Sequence, residues 1–104
     1  MSFAKAEFTS LKDAVARIDD GASVVIAGSM ANSPMALIRE MIRARKKDLD
    51  LFVSPIGGIN IDMLIGANAV RSLEFPQISM GEYGLAPNFR RASEKGLIKL
   101  KEHT

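Results

Sequence analysis

Apolar and polar positions follow two periodicities in turn along this chain. Apolar residues recur at helical spacing over the ranges 10–19, 34–46, 61–67 and 87–95. After each of these ranges they form a short continuous or alternating run, over 24–28, 49–53, 70–75 and 97–101. The first pattern is typical of helices and the second of strands. Helix and strand therefore alternate four times, which predicts a single α/β domain over residues 1–104. We expect an open, mainly parallel sheet with flanking helices and right-handed crossovers.

Polar residues, glycine and proline predict where several of these elements begin and end. Thr9 or Ser10 can cap the first helix, because a hydroxyl oxygen there accepts a backbone N–H of the first turn. Gly21 is expected to end that helix in the left-handed conformation. Pro87 is expected to open the last helix and Gly96 to stop it.

The stretch 20–34 is the most informative part of the sequence. Its three β-branched residues, Val24–Ile26, are unbroken by polar residues and predict a strand buried on both faces. Small residues follow, and Ser33 and Pro34 are predicted to be the N-cap and first residue of a helix. A strand, a small-residue loop and a helix N-terminus in succession are a usual anion and phosphate site. The pattern therefore predicts the place of a site rather than a reaction.

Composition narrows the possible classes of protein. The 104 residues are 47% apolar and 25% charged, which suits one small globular domain. The absence of cysteine excludes disulfides and thiolate sites, and the single histidine, His103, argues against a histidine dyad or a metal site. The formal net charge is +2, and the basic cluster within 39–47 is predicted to be a solvated helix end rather than a nucleic-acid surface. No apolar run is long enough to cross a membrane, so we expect a cytoplasmic protein.

Several motifs give the chain a resemblance to a known family. The run Asp20-Gly21-x-x-Val24-Val25-Ile26-Ala27-Gly28, with Pro34 a few residues on, resembles the N-terminal signature of family I coenzyme A transferases. Agreement continues in order through Ser10-Leu11-Lys12-Asp13-Ala14, Asp62-Met63-Leu64-Ile65-Gly66, Phe89-Arg90-Arg91 and Glu94-x-Gly96. The arrangement is most similar to the A (α) subunit of glutaconate-type enzymes. Ala27 and Ser29 depart from the signature, which has glycine and phenylalanine at these places.

The resemblance implies a CoA-transferase-like, Rossmann-like sheet and a reaction. Such enzymes move CoA between an acyl-CoA and a carboxylic acid through a glutamate, which becomes a glutamyl-CoA thioester. In the family this glutamate belongs to a partner B subunit, and the loop 54–58 of this chain contains no carboxylate. The resemblance thus implies no catalytic residue in this chain, a hetero-oligomer, coenzyme A as substrate and no further cofactor. Because the family's A (α) subunits are longer, the chain would correspond to the N-terminal portion of one.

Two loops are the candidate substrate and CoA-binding site. The residues are Gly28, Ser29, Met30, Ala31, Asn32 and Ser33 in the first loop, and Gly57 and Gly58 in the second. Backbone amides of the first loop could serve as oxyanion donors. The alternatives are a tightly packed strand-to-helix connection for the first loop and a tight turn after Pro55 for the second.

Other residues have simpler interpretations. Glu82 is predicted to be an exposed carboxylate, Arg90 and Arg91 to be solvated or at a subunit contact, and Asp62 to cap or border the third helix. Three alternative functions stay open: a CoA-thioester hydrolase on the same scaffold, a non-catalytic interaction module, and a binder of nucleotides or sugar phosphates. The last is weakened by the lack of a Gly-x-Gly-x-x-Gly or Gly-Lys-Ser/Thr motif.

Overall fold

The computed structural model describes residues 6–28, 33–54, 56–78 and 86–102. Helices and strands alternate along these residues as the sequence predicts. In chain order they are α1 (Leu11–Ala16), β1 (Ser23–Ala27), α2 (Met35–Arg43), β2 (Leu49–Ser54), α3 (Ile59–Gly66), β3 (Val70–Phe75), α4 (Pro87–Lys95) and β4 (Lys99–Glu102). The prediction of an α/β chain is therefore confirmed, with element bounds that differ by a few residues.

The four strands form one parallel sheet in the order β1-β2-β3-β4. The order never reverses along the described strands, unlike that of doubly wound dinucleotide-binding sheets. Crossovers of one hand that step in one direction place their helices on the same face of the sheet. In agreement, α1 packs against α2, α2 against α3, and α3 against α4.

The hydrophobic core fills the space between this helical layer and the covered face of the sheet. Strand positions whose side chains point to that face are in register across the sheet, as in the row Val24, Leu51, Leu73 and Leu100. Leu51 and Leu73 in the central strands are almost fully buried, and so are Ile38 of α2 and Leu64 of α3. Burial of these side chains is the main stabilising contribution to the domain.

The prediction that β1 is buried on both faces is wrong. Its burial alternates, with Ile26 buried and Val25 exposed to 70%. The cause is the topology: β1 is an edge strand, and the described helices cover one face of the sheet only. Phe52 of β2, the neighbour of Val25 in register, is likewise exposed, to 38%.

Two predicted helix boundaries are confirmed. The Ser10 hydroxyl oxygen accepts the backbone N–H of Asp13 at 3.1 Å and so caps α1. At the other end of the chain, Pro87 is in the first turn of α4, and Gly96 is its C-cap in the left-handed conformation, with φ of 63°.

Two other predicted boundaries are wrong. Helix α1 ends at Ala16, with Arg17 as a right-handed C-cap, so it ends before Gly21. Gly21 does have the positive φ expected of a left-handed residue, 83°, but it lies in the turn beyond the helix. The N-cap of α2 is Pro34 rather than Ser33. The Ser33 hydroxyl donates to the Met35 sulfur at 3.5 Å and makes no capping bond. Among the described residues, no helix is long and apolar enough to cross a membrane.

Candidate functional site

The candidate site lies at the carboxyl edge of the sheet, where ligands of parallel sheets usually bind. Strands β1 and β2 end here at Ala27 and Ser54, and the loops that carry the candidate residues begin. The pairing of β2 and β3 continues past the strand ends, because Gly57 forms a parallel bridge with Ile78. The Gly57 N–H donates to the carbonyl of Gln77 at 2.9 Å.

The side chain of Asn60 joins the two candidate loops. It is fully buried at the start of α3. Its Oδ1 accepts the backbone N–H groups of Gly58 at 3.0 Å and Ile61 at 2.8 Å. Its Nδ2 donates to the Gly28 carbonyl, 32 residues away in sequence, at 2.9 Å. Gly28, which directly follows β1, is thus attached to the start of α3 by a buried amide.

Three helix N-termini reach this edge, and they differ in how their free N–H groups are used. In the first turn of α3, the side-chain oxygen of Asn60 accepts the N–H group of Ile61. Helix α4 is capped from outside: the Asp62 carboxylate accepts the N–H groups of Asn88 at 3.2 Å and Phe89 at 2.7 Å. Asp62, predicted to cap or border α3, therefore caps the next helix instead.

Helix α2 has no side-chain cap among the described residues. The Met35 N–H is 2.8 Å from the Ser33 carbonyl, and the Pro34 ring has no N–H to offer. A helix start without a side-chain acceptor presents N–H groups and the positive end of the helix dipole. Such an end favours an electron-rich group of a ligand.

Four of the eight candidate residues lie in the described part of the chain, and Ser29–Asn32 lie outside it. Gly28 is half-buried with φ of 94°, a conformation that glycine adopts without strain. Ser33 is half-buried beside the start of α2, whereas Gly57 and Gly58 are buried. Both of these glycines donate their N–H groups inside the protein, to Gln77 and Asn60. As donors they are already used, so any role at the site is to shape its wall.

The core contacts of Gly57 explain why a glycine is needed there. A methyl group on Gly57 would be 2.5 Å from Ile78 Cδ1, 2.9 Å from Ile61 Cγ1 and 3.0 Å from Val53 Cγ1. These contacts are shorter than van der Waals distances, and the three neighbours are all buried. The packing gives a reason for this glycine that differs from both the predicted ligand approach and the predicted tight turn: a side chain would not fit against the core.

Sequence reasoning missed Asn60 altogether. An asparagine in the first turn of a helix gives a weak signal, because the same residue type is common at helix starts whatever it contacts. What singles it out is its bond to Gly28, which depends on the pairing of β1 with β2. The arginines behave as predicted for a solvated helix face: Arg90 pairs with Glu94 and Arg91 with Asn88, all near the surface. Glu82 lies outside the described residues.

An ion pair between Asp50 and Arg71 lies elsewhere, on the uncovered face of the sheet. A register shift between β2 and β3 lets both Arg71 and Ser72 donate to the Asp50 carboxylate. The hydrogen bonds from Arg71 and Ser72 lower the pKa of Asp50 to about 2, and the same pair raises the pKa of Arg71. The pair links β2 to β3 near the amino ends of both strands, away from Gly28, Gly57 and Gly58 at the carboxyl edge.

Other surface features also lie away from the candidate site. A cleft of about 470 Å³ opens at the amino edge, between the ends of α3 and α4, and is lined by Asn68, Arg91 and Leu97 among others. In the described ranges, no three carboxylate or histidine side chains are grouped so as to hold a metal ion.

Comparisons with known proteins agree with this architecture. Residues 8–102 match the sequence pattern of the coenzyme A transferase family. The A-type subunit of the 3-oxoadipate CoA-transferase of Pseudomonas knackmussii is 36% identical over 103 residues. Among crystal structures, a variant of the decarboxylase AibA/AibB superposes with a TM-score of 0.83 at 32% identity over 92% of this chain. The glutaconate coenzyme A-transferase of Acidaminococcus fermentans superposes with a TM-score of 0.84 at 24% identity, also over 92% of this chain, and shows the shared fold.

The chain spans only part of each of these proteins. The match covers 95% of this chain but 36% of the 3-oxoadipate enzyme's polypeptide. It covers 38% of the decarboxylase chain and 31% of the glutaconate enzyme chain.

Proposed function

The chain belongs to the coenzyme A transferase family, and we propose that it forms the A-subunit part of an enzyme that moves CoA from an acyl-CoA to a carboxylic acid. The single observation that carries the proposal is that Asn60 holds the Gly28 carbonyl at the carboxyl edge, where α2 also begins, with no side-chain cap on α2 among the described residues. This arrangement suits a thioester, whose carbonyl oxygen gains negative charge when it is attacked.

In this proposal the chain supplies the wall of the site and a partner B subunit supplies the nucleophile. A glutamate of the partner attacks the acyl carbonyl and CoA leaves as thiolate. The thiolate then attacks the resulting anhydride, which releases the carboxylic acid and leaves a glutamyl-CoA thioester. An acceptor carboxylate reverses these steps. Residues 28–33 would line the acyl or pantetheine end of the substrate, with the start of α2 facing its electron-rich group.

Trapping of the thioester tests this division of labour. The chain is purified together with its B-type subunit and incubated with an acyl-CoA. Borohydride then reduces any glutamyl thioester to an alcohol, and mass spectrometry of the digest locates it. We expect a reduced glutamate on the partner that depends on acyl-CoA, and none on this chain. A reduced carboxylate on this chain, or no adduct in an assembly that binds acyl-CoA, would contradict the proposal.

A second candidate reaction has a specific observation in its favour. The 32% identical relative of known structure is a decarboxylase, so this scaffold also serves chemistry other than CoA transfer. Hydrolysis of the thioester is a further possibility, because water can replace the acceptor acid. Product analysis separates the three: transfer yields a new acyl-CoA, hydrolysis yields free CoA, and decarboxylation releases carbon dioxide with the thioester intact.

A further inference from the structure

The buried amide of Asn60 is the strongest feature that the proposed function leaves unassigned. We propose that Asn60 is a positioning residue, which holds the Gly28 peptide at the end of β1 in its working geometry through the Gly28 carbonyl. The inference rests on the proposed function, since it assigns Asn60 a role in the same site.

The first step of the argument is that the side chain is fully used. Asn60 is 0% exposed, with two backbone N–H groups on its oxygen and the Gly28 carbonyl on its nitrogen. No other residue type of this size offers an acceptor and a donor on one planar group. An aspartate would keep both acceptor bonds but would oppose the Gly28 carbonyl, and an alanine would lose all three bonds.

The second step is that this bond fixes more than one atom. The peptide group that contains the Gly28 carbonyl is planar, so holding its oxygen holds the whole group. Gly28 itself has φ of 94°, and glycine is the residue with the most backbone freedom. The amide thus restrains a peptide group that the Gly28 backbone alone would leave free to turn.

The third step concerns which kinetic constant responds. A loop that is shifted by a fraction of an ångström still contacts the substrate, but it aligns the reacting carbonyl less well. Such a misplacement lowers kcat more than it raises KM. For Asn60→Asp at neutral pH we expect kcat to fall by about 100-fold while KM changes by less than about threefold.

Protonation of the new carboxyl group should reverse the effect of Asn60→Asp. A buried carboxyl beside a carbonyl oxygen has a raised pKa, and its protonated form donates a hydrogen bond as the amide does. Lowering the pH should therefore restore the bond to Gly28 and most of the lost kcat relative to wild type. The nearest ionisable residue along α3 is Asp62, whose carboxylate faces the start of α4. Asn60→Ala cannot regain a donor and should show no such rescue.

The test uses two readouts on the same variants. In the full chain, the carbonyl ¹³C shift of Gly28 reports the hydrogen bond and needs no substrate. It should be independent of pH in wild type, altered in Asn60→Asp at neutral pH, and returned toward the wild-type value in acid. In the assembly with the B subunit, kcat and KM for CoA transfer are measured over the same pH range. The matched control is Asp62→Asn, a buried capping residue on the same helix that makes no bond to Gly28.

The outcomes separate the inference from the proposed function. A parallel acid recovery of the Gly28 shift and of kcat in Asn60→Asp, absent in Asn60→Ala and Asp62→Asn, supports the inference. If wild type transfers CoA and Asn60→Asp keeps its kcat throughout, Asn60 is only a structural cap and the inference is overturned while the proposed function stands. If the wild-type assembly transfers no CoA, the proposed function is overturned and the inference with it.

Discussion

Replacement of Gly57 by alanine tests whether the glycine at the carboxyl edge is needed by the core or by an approaching ligand. If the glycine serves the core, the new methyl group must overlap Ile78 Cδ1 at 2.5 Å, with Ile61 and Val53 at 2.9 and 3.0 Å. Ile78 is only 2% exposed, so its terminal methyl has little space to move into, and the other two contacts are on stiff β-branched stems. Overpacking of this kind costs about 2 kcal/mol in free energy of unfolding. For a domain of this size that lowers Tm by roughly 10 °C.

A double-mutant cycle tests the proposed cause. Ile78→Val removes the Cδ1 atom and alone should cost about 1 kcal/mol. In that background Gly57→Ala should cost only about 1 kcal/mol, because the worst overlap is gone, so the two changes are non-additive by about 1 kcal/mol. Ile65→Val is the matched control: Ile65 is buried near the far end of α3, and its effect should simply add to that of Gly57→Ala. Denaturant unfolding with an unchanged m-value measures each free energy.

Two results would refute the reasoning. Additive effects of Gly57→Ala and Ile78→Val would mean that the overlap with Ile78 is not the source of the cost. An unchanged stability in Gly57→Ala would mean that the glycine is not needed by the core. In that second case, a loss of acyl-CoA binding in the same variant would favour the other interpretation, in which a ligand approaches the backbone there.

Three further predictions concern stability. Asp62→Ala should lower the free energy of unfolding by about 2 kcal/mol, because the N–H groups at the start of α4, including that of Phe89, lose a buried acceptor. Chemical denaturation measures this free energy, and a change below about 0.5 kcal/mol would contradict the capping role. The depressed pKa of Asp50, about 2 against 3.8, means that its contribution is complete at neutral pH and is lost as the pH falls from near 4 toward 2. The Tm of Asp50→Asn should therefore fall less over this pH range than the Tm of wild type. Equal falls in Tm, measured by thermal unfolding, would contradict the pairing with Arg71. Gly96→Ala should lower the free energy of unfolding by about 1 kcal/mol through its φ of 63° alone, since nothing lies within 4 Å of the added Cβ. Gly96→Asn should lower it by less, because asparagine adopts the left-handed conformation more readily. Equal costs in denaturant unfolding would contradict this.

The sequence predicts those parts of the fold that depend on neighbours along the chain. The caps at Ser10 and Gly96 are of this kind, because the groups they bond are within a turn of the helix. The prediction at Ser33 fails locally too: Pro34 has a non-helical ψ of 62° and is itself the N-cap, and the serine hydroxyl donates to the Met35 sulfur.

The features that could not be predicted depend on which elements become neighbours in space. An unbroken Val24–Ile26 run is equally compatible with a central and an edge strand, and only the observed strand order exposes Val25. The same holds for the long-range bonds of Asn60 and Asp62, which reach 32 and 26–27 residues along the chain. Their partners are backbone groups, which carry no residue-specific signal in a sequence. The sequence pattern therefore predicts where the candidate site lies, whereas only the structure identifies the side chains that hold it.

The side chains of one helix, α3, organise the carboxyl edge of the sheet. The side chains of Asn60 and Asp62, both on α3, accept N–H groups in the first turns of α3 and α4, so one helix holds two helix starts and the Gly28 peptide. A hydrogen bond of this kind to a helix-start N–H group contributes about 1 kcal/mol, so α3 stabilises the carboxyl edge at both helix starts. Among the described residues no side chain caps α2, the third helix that starts at this edge. In the proposed function the Gly28 peptide, which the buried Asn60 amide holds, keeps the reacting thioester carbonyl aligned, so packing and chemistry would depend on the same side chain.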